Sequence, residues 1–167
     1  MTSSTQRPCL VDLMENRIEA SPLQLKQLLY SKIQVEAVDA PPEDMWAPTF
    51  NFEGIVINSE VLLVVQEGQE EDPRDFMMLL KLSIRNDSED GGKLSPYTFD
   101  IHSQAWFEMA SIFDIEKRES LVRINGASMI VSAMRELLTL LTARSSHGPM
   151  TLPSLRFLAN GEPEKQH

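Results

Sequence analysis

Residues 123–157, RINGASMIVSAMRELLTLLTARSSHGPMTLPSLRF, decide the fold. Asn is a good N-cap, so Asn125-Gly126 predicts a helix start, and nothing breaks the pattern before Arg144. At a helical pitch, Ser128, Ser132, Arg135, Glu136, Thr139 and Thr142 form one polar stripe. Ala127, Met129, Ile130, Val131, Ala133, Met134, Leu137, Leu138, Leu140 and Leu141 fill the rest, an apolar arc of roughly 200° where docking on a core needs only about 100°. Apolar surface is left over, and a second element, a partner subunit or a ligand must cover it. Met134, Leu137, Leu138 and Leu141 are the candidate oligomer contacts.

Upstream, the pattern changes from helical to alternating. Residues 97–109 place Tyr97, Phe99, Ile101, Ala105, Phe107 and Met109 on one side and polar residues on the other, Trp106 excepted. Residues 76–84 do the same with Phe76, Met78, Leu80, Leu82 and Ile84, but Met77 and Leu79 make the second side partly apolar. Residues 50–65 change phase at Gly54, as a bulge or kink would require, and are expected to break near residues 58–60. In residues 23–38, Leu23, Leu25, Leu29, Ile33, Val35 and Ala37 share one parity, which predicts a strand with these on one face, irregular near Gln27-Leu28. FDIEKRES, residues 113–120, reads as a connection. The expected fold is α+β: a four-stranded antiparallel β-sheet with a long C-terminal helix packed on one face.

The expected boundaries are a flexible arm over residues 1–21, one domain over 22–158 and a flexible tail over 159–167. Within the arm, Leu10, Val11, Leu13, Met14 and Ile18 would suit a short amphipathic turn or two.

Composition narrows function by exclusion. The chain has 167 residues and a net charge of −10, so clustered cations for nucleic acid or an anionic membrane surface are missing. No continuous apolar run reaches the length of a membrane span, which predicts no membrane insertion. One cysteine, Cys9, permits no internal disulfide and suits a cytoplasmic setting. Nucleotide-binding, hydrolase and metal motifs are absent, and His102, His147 and His167 have no second ligand at metal spacing, so neither cofactor nor metal is expected. A long helix on an antiparallel sheet also suits hot-dog thioesterases, for which Glu136 would be the one acidic candidate.

The ordered set resembles the SecB family of protein-export chaperones. LQLKQLLYSKIQVEAVDAP is similar to the family's first strand through Tyr30, Lys32, Glu36, Ala37 and Pro41. YTFDIHSQAWFEMASIF resembles its last strand. The helix with Arg135-Glu136, Thr142 and Arg144, and the loop of Gly148, Pro149, Leu152, Pro153 and Phe157, carry the strongest likeness. Ile130–Met134 departs from the family's Phe-Pro-Tyr stretch, Ile33 stands where an acidic residue is usual, and only LANGEPEKQH follows Phe157, where the family has a second helix.

The resemblance implies a non-enzymatic, ATP-independent, cytoplasmic homotetramer, a dimer of dimers, holding unfolded polypeptides or preproteins in apolar grooves for export and translocation. Candidate groove residues are Met77, Leu79, Trp106, Met150, Leu152, Leu155 and Phe157. Methionine suits promiscuous binding, though Met77 and Met150 would serve equally as core filler. For the family's motor partner, SecA, only Glu36 and Asp100 could supply acidic sheet contacts. The alternative on the same scaffold is a dedicated partner for one client, such as an antitoxin.

Overall fold

In the computed structural model, residues 19–39, 51–86 and 93–157 are described. Four strands, β1 (Leu23–Ala37), β2 (Asn58–Val65), β3 (Asp75–Ile84) and β4 (Tyr97–Met109), form one antiparallel sheet in the order β1-β4-β3-β2. A continuous helical run, Ile115–Thr142, follows. It comprises α1 (Ile115–Leu121), a π-helical turn (Val122–Gly126) and α2 (Ala127–Thr142). The run is long and apolar enough to cross a membrane by length and composition, but here it packs on the sheet as a core helix.

The inner face of the sheet is built as strict alternation requires. Phe76, Met78, Leu80, Leu82 and Ile84 of β3 and Tyr97, Phe99, Ile101, Ala105, Phe107 and Met109 of β4 are all buried. Against them lie Val122, Ala127, Ile130, Val131, Met134 and Leu138.

β1 departs from the expected single parity. Its register against β4 shifts between Leu25 and Gln27 and again between Tyr30 and Lys32. Each extra residue reverses the alternation. Leu28 and Tyr30 therefore pack against the core, while Leu29 moves to the outer face opposite Gln104.

β2 also differs from expectation. Gly54 has φ +80° in a tight turn, with the Ile55 N–H donating to the Phe52 carbonyl at 3.0 Å, and the strand starts at Asn58 where a break was expected. Phe50 lies outside the described residues, as do residues 1–18 of the expected arm, residue 158 at the expected domain end and the whole of the expected tail, 159–167.

The helix begins ten residues before Asn125. Asp114 caps it, its carboxylate accepting from the Glu116 N–H at 3.2 Å, so residues 115–120 of the expected connection are helical. Gly126 instead serves close approach, since a Cβ there would lie 3.1 Å from Phe107 Cζ and 3.3 Å from Met78 Cε. Arg118, 1% exposed, clamps this end. It donates to the carbonyls of Phe113, Pro73 and Ser111 at 2.9, 3.0 and 2.9 Å and pairs with Asp72.

Candidate functional site: the outer face of the sheet

Cross-strand neighbours point to the same face, so the register lists the outer surface row by row. One row reads Gln27, Trp106, Met77, Val64, and the next Leu29, Gln104, Leu79, Leu62. Six of these eight side chains are apolar and none is fully buried; Leu62 is 55% exposed, Leu29 46% and Val64 39%. Together they form an apolar band running across all four strands. At the β2 end it opens into a cleft of about 450 Å³, whose lining includes Val64, Met77, Trp106, Lys26, Glu67 and Asp75.

Polar rows flank the band. Towards the N-terminal end of β1, Lys26 Nζ lies 2.8 Å from Glu108, which raises the lysine pKa. On the other side stand Lys32, His102, Lys81 and Glu60. Lys32 Nζ approaches Asp100 at 2.5 Å and His102 Nε2 reaches its other oxygen at 2.8 Å. The Lys32 hydrogen bond holds the Asp100 carboxyl below its usual range, against a smaller opposing effect of burial. Glu60 is likewise depressed by Lys81, 2.7 Å away. These charges are paired with one another across strands, which leaves the apolar band as the face's unpartnered feature.

The predicted groove residues divide between two sides of the molecule. Met77, Leu79 and Trp106 come together in the band. Leu62 and Val64, which alternation already places on this face though they were not among the groove candidates, join them, as does Leu29, which nothing short of the bulges marks. Met150 and Leu152 are 1% and 0% exposed and belong to the core between helix and sheet, so they present no surface to a client. Leu155 and Phe157 pack half-buried against that core.

Hydrogen bonds to the loop explain the burial. The Thr142 hydroxyl donates to the Leu138 carbonyl at 2.7 Å and accepts from the Met150 N–H at 2.8 Å. Tyr97 Oη donates to the Gly148 carbonyl at 2.7 Å, and His147 Nε2 lies 2.7 Å from the Val38 carbonyl. With its backbone held at these points, the loop turns Met150 and Leu152 inward.

The candidate oligomer contacts divide too. Met134 and Leu138 are fully buried against this subunit's own sheet. Leu137 is half-buried and Leu141 exposed. With Met129, Ala133 and Leu140 they form an apolar stripe beside the buried one, and Leu140 is 75% exposed. Of the acidic candidates, Glu36 is exposed and accepts from Gln34 at 2.9 Å, while Asp100 has its charge offset as described. Glu136 is exposed on α2, and its charge together with burial raises the Tyr30 pKa, burial being the larger cause. Among the described residues no cluster of acidic, histidine or cysteine side chains could hold a metal.

No protein-family model matches the sequence, and no curated protein matches it. Solved structures do match. A SecB-like chaperone of Mycobacterium tuberculosis, in complex with a ChAD peptide from the HigA1 antitoxin, is 19% identical with a TM-score of 0.50, over 82% of this chain and 93% of that one. A protein of unknown function from Streptococcus agalactiae is 14% identical with a TM-score of 0.43, over 78% and 96% of the two chains. A four-stranded antiparallel sheet carrying one long C-terminal helix on its inner face is thus a SecB-like fold.

Proposed function

We propose that the protein is an ATP-independent holding chaperone, not an enzyme, that binds apolar segments of unfolded polypeptides in the cytoplasm. The observation that carries this reading is the outer-face band, where Leu62, Leu29 and Val64 are exposed and Trp106, Met77 and Leu79 half-buried among the described residues, within a frame of mutually paired charges. A client segment laid on the band gains roughly 25 cal/mol per Å² of apolar surface buried. Leu155 and Phe157, on the helix side, are a second and smaller apolar seat. We assign the stripe of Met129, Ala133, Leu137, Leu140 and Leu141 to self-assembly, as a dimer of dimers. A SecA-type contact on the sheet would have Glu36 but not a free Asp100, so hand-over to an export motor is not part of the reading.

The test is titration of a labelled, permanently unfolded client. Leu62→Asp with Leu79→Asp should weaken binding at least tenfold, because two carboxylates replace apolar contact with a desolvation cost of about 1–3 kcal/mol each. Wild-type binding should change little with salt. Equal affinity for the two proteins would remove the band from the site.

A second reading, a partner protein dedicated to one client such as an antitoxin, is favoured by the antitoxin peptide held by the structural neighbour from Mycobacterium tuberculosis. Aggregation assays separate the two. Protection of several unrelated unfolded proteins supports the general holdase, and protection of a single client supports the dedicated partner.

A further inference from the structure

We propose that the free margin of β2 is a template for strand addition: an extended segment of an unfolded client, apolar at alternate positions, pairs with it as a fifth strand. The proposal rests on the chaperone reading for its occupant, and it assigns the client's main chain to a part of the molecule that the band alone does not.

The pairing of β2 fixes which of its main-chain groups are free. The Gln66 N–H donates to the Asp75 carbonyl at 3.0 Å. Even-numbered residues of β2 therefore turn their N–H and C=O towards β3, in a register that runs unbroken from Asn58↔Ser83 to Val65↔Phe76. Ser59, Val61, Leu63 and Val65 turn theirs the other way, where the order of the sheet ends. Among the described residues no other element hydrogen-bonds to the main chain of these four.

Proteins normally blunt such a margin with lysine, proline or a bulge. NSEVLLVV has no proline and no cation, and its single charge, Glu60, is held by Lys81 of β3. The opposite margin, β1, is broken twice in register and carries Lys26 and Lys32. β2 is also apolar on both faces. Leu62 and Val64 are exposed on the outer one, and Val61, Leu63 and Val65 are half-buried on the inner. A strand added about 4.8 Å away rests its side chains against both rows.

The occupant follows from what the margin would meet. Main-chain pairing supplies affinity whatever the sequence, and pockets for alternate side chains supply preference. Clients of many sequences require the first. For the second, the C-terminal end of β2 offers the cleft of about 450 Å³ lined by Val64, Val65, Met77 and Trp106, which has room for a large apolar side chain. A second copy of this chain does not fill it. In the antiparallel register that engages all four free residues, Glu60 of the second copy lies beside Val64. That sets a carboxylate at the mouth of the cleft and leaves its apolar wall uncovered. An apolar client segment has no such conflict.

Hydrogen exchange read by NMR tests this on the wild-type chain, with an end-blocked peptide of alternating leucine and serine, about ten residues long, as the probe. The peptide should slow exchange of the Ser59, Val61, Leu63 and Val65 amides at least about tenfold. The Leu62 and Val64 amides, already bonded to β3, should change far less. Binding without this alternate-residue protection would overturn the strand site and leave the chaperone reading standing on the band. Failure to bind the peptide, by a chain that still holds a labelled unfolded client, would do the same; failure to bind either would sink both readings. Protection of the four amides before any peptide is added would also overturn the proposal, because the margin would already be taken. Val61→Pro gives a second measurement. It deletes one outward donor and spares the bonds to β3, a position where edge strands tolerate proline. The variant should bind the peptide about fivefold more weakly, and unchanged affinity of the folded variant would refute main-chain pairing. The exchange measurement on wild type decides the matter whether or not this variant folds.

Discussion

Gly126 packs against the tip of the Phe107 ring, close enough that an added Cβ would sit 3.1 Å from Cζ. The contact fixes how near the helix comes to β4. Alanine would gain about 1 kcal/mol of helix propensity and lose a comparable amount in crowding. Gly126→Ala should therefore stay within about 1 kcal/mol of wild type. Gly126→Val cannot be accommodated by a fully packed Phe107 and should cost about 3 kcal/mol. Thermal melts of the two variants give the comparison, and a valine variant as stable as wild type would mean that the helix can lift off the sheet.

The two apolar stripes of α2 should respond differently to charge. Met134→Lys places an unpaired cation in the subunit's own core and should cost about 3–5 kcal/mol, enough to unfold a marginal domain. Leu140→Lys leaves the subunit within about 0.5 kcal/mol of wild type, being exposed, but should weaken assembly. Circular dichroism reads the first effect and light scattering the second. A compact wild-type monomer at micromolar concentration would refute the assembly role of the stripe.

Arg118, itself buried, holds three carbonyls from two loops and the helix entry. Arg118→Met keeps most of the volume and removes all their donors, so it should cost about 3 kcal/mol or more. Asp72, being exposed, rehydrates and adds little. Hydrogen exchange should quicken first in the turn before β3 and in α1, and uniform exchange across the sheet would contradict the clamp.

Acid should act through Asp100. Its carboxyl is depressed in the folded state, so its contribution is complete above the unfolded value near 3.9 and fades as pH falls through the folded value. Asp100→Asn should lower stability at neutral pH by about 1 kcal/mol or less and flatten the decline below about pH 4. Parallel melting curves for the two proteins across that range would show that Lys32 and His102 contribute nothing through this group.

Much of this architecture could be read from alternation. β3 and β4 show their faces plainly because no residue interrupts their pairing, and Met77, Leu79 and Trp106 stood out as apolar residues on otherwise polar sides. Leu29 was misplaced although an irregularity near Gln27-Leu28 was expected, because how a bulge shifts the faces beyond it depends on the pairing of both strands. The helix start was hidden because its first turns are charged and have no apolar period until the chain reaches the sheet. Met150 and Leu152 looked like groove wall because a proline-rich loop seldom buries itself; the hydroxyls of Thr142, at the end of the helix, and of Tyr97, distant in sequence, are what fold it inward.

The antiparallel order β1-β4-β3-β2 also has a consequence in time. β2, β3 and β4 follow one another and pair with their neighbours in sequence, so they can form early as a meander. β1 is synthesised first, yet among the described strands it pairs only with the last, its first residue matched to β4's last. Closing that long loop is an entropic cost met late. Two bulges then allow only one alignment, so β1 should dock as a single late event rather than zip gradually. Pulse-labelled exchange during refolding should find β1 amides protected after those of β2–β3, and simultaneous protection would show that the chain closes around its ends first. Until that step, a newly made subunit carries an unpaired strand of its own, and so passes through the condition of the clients we assign to it.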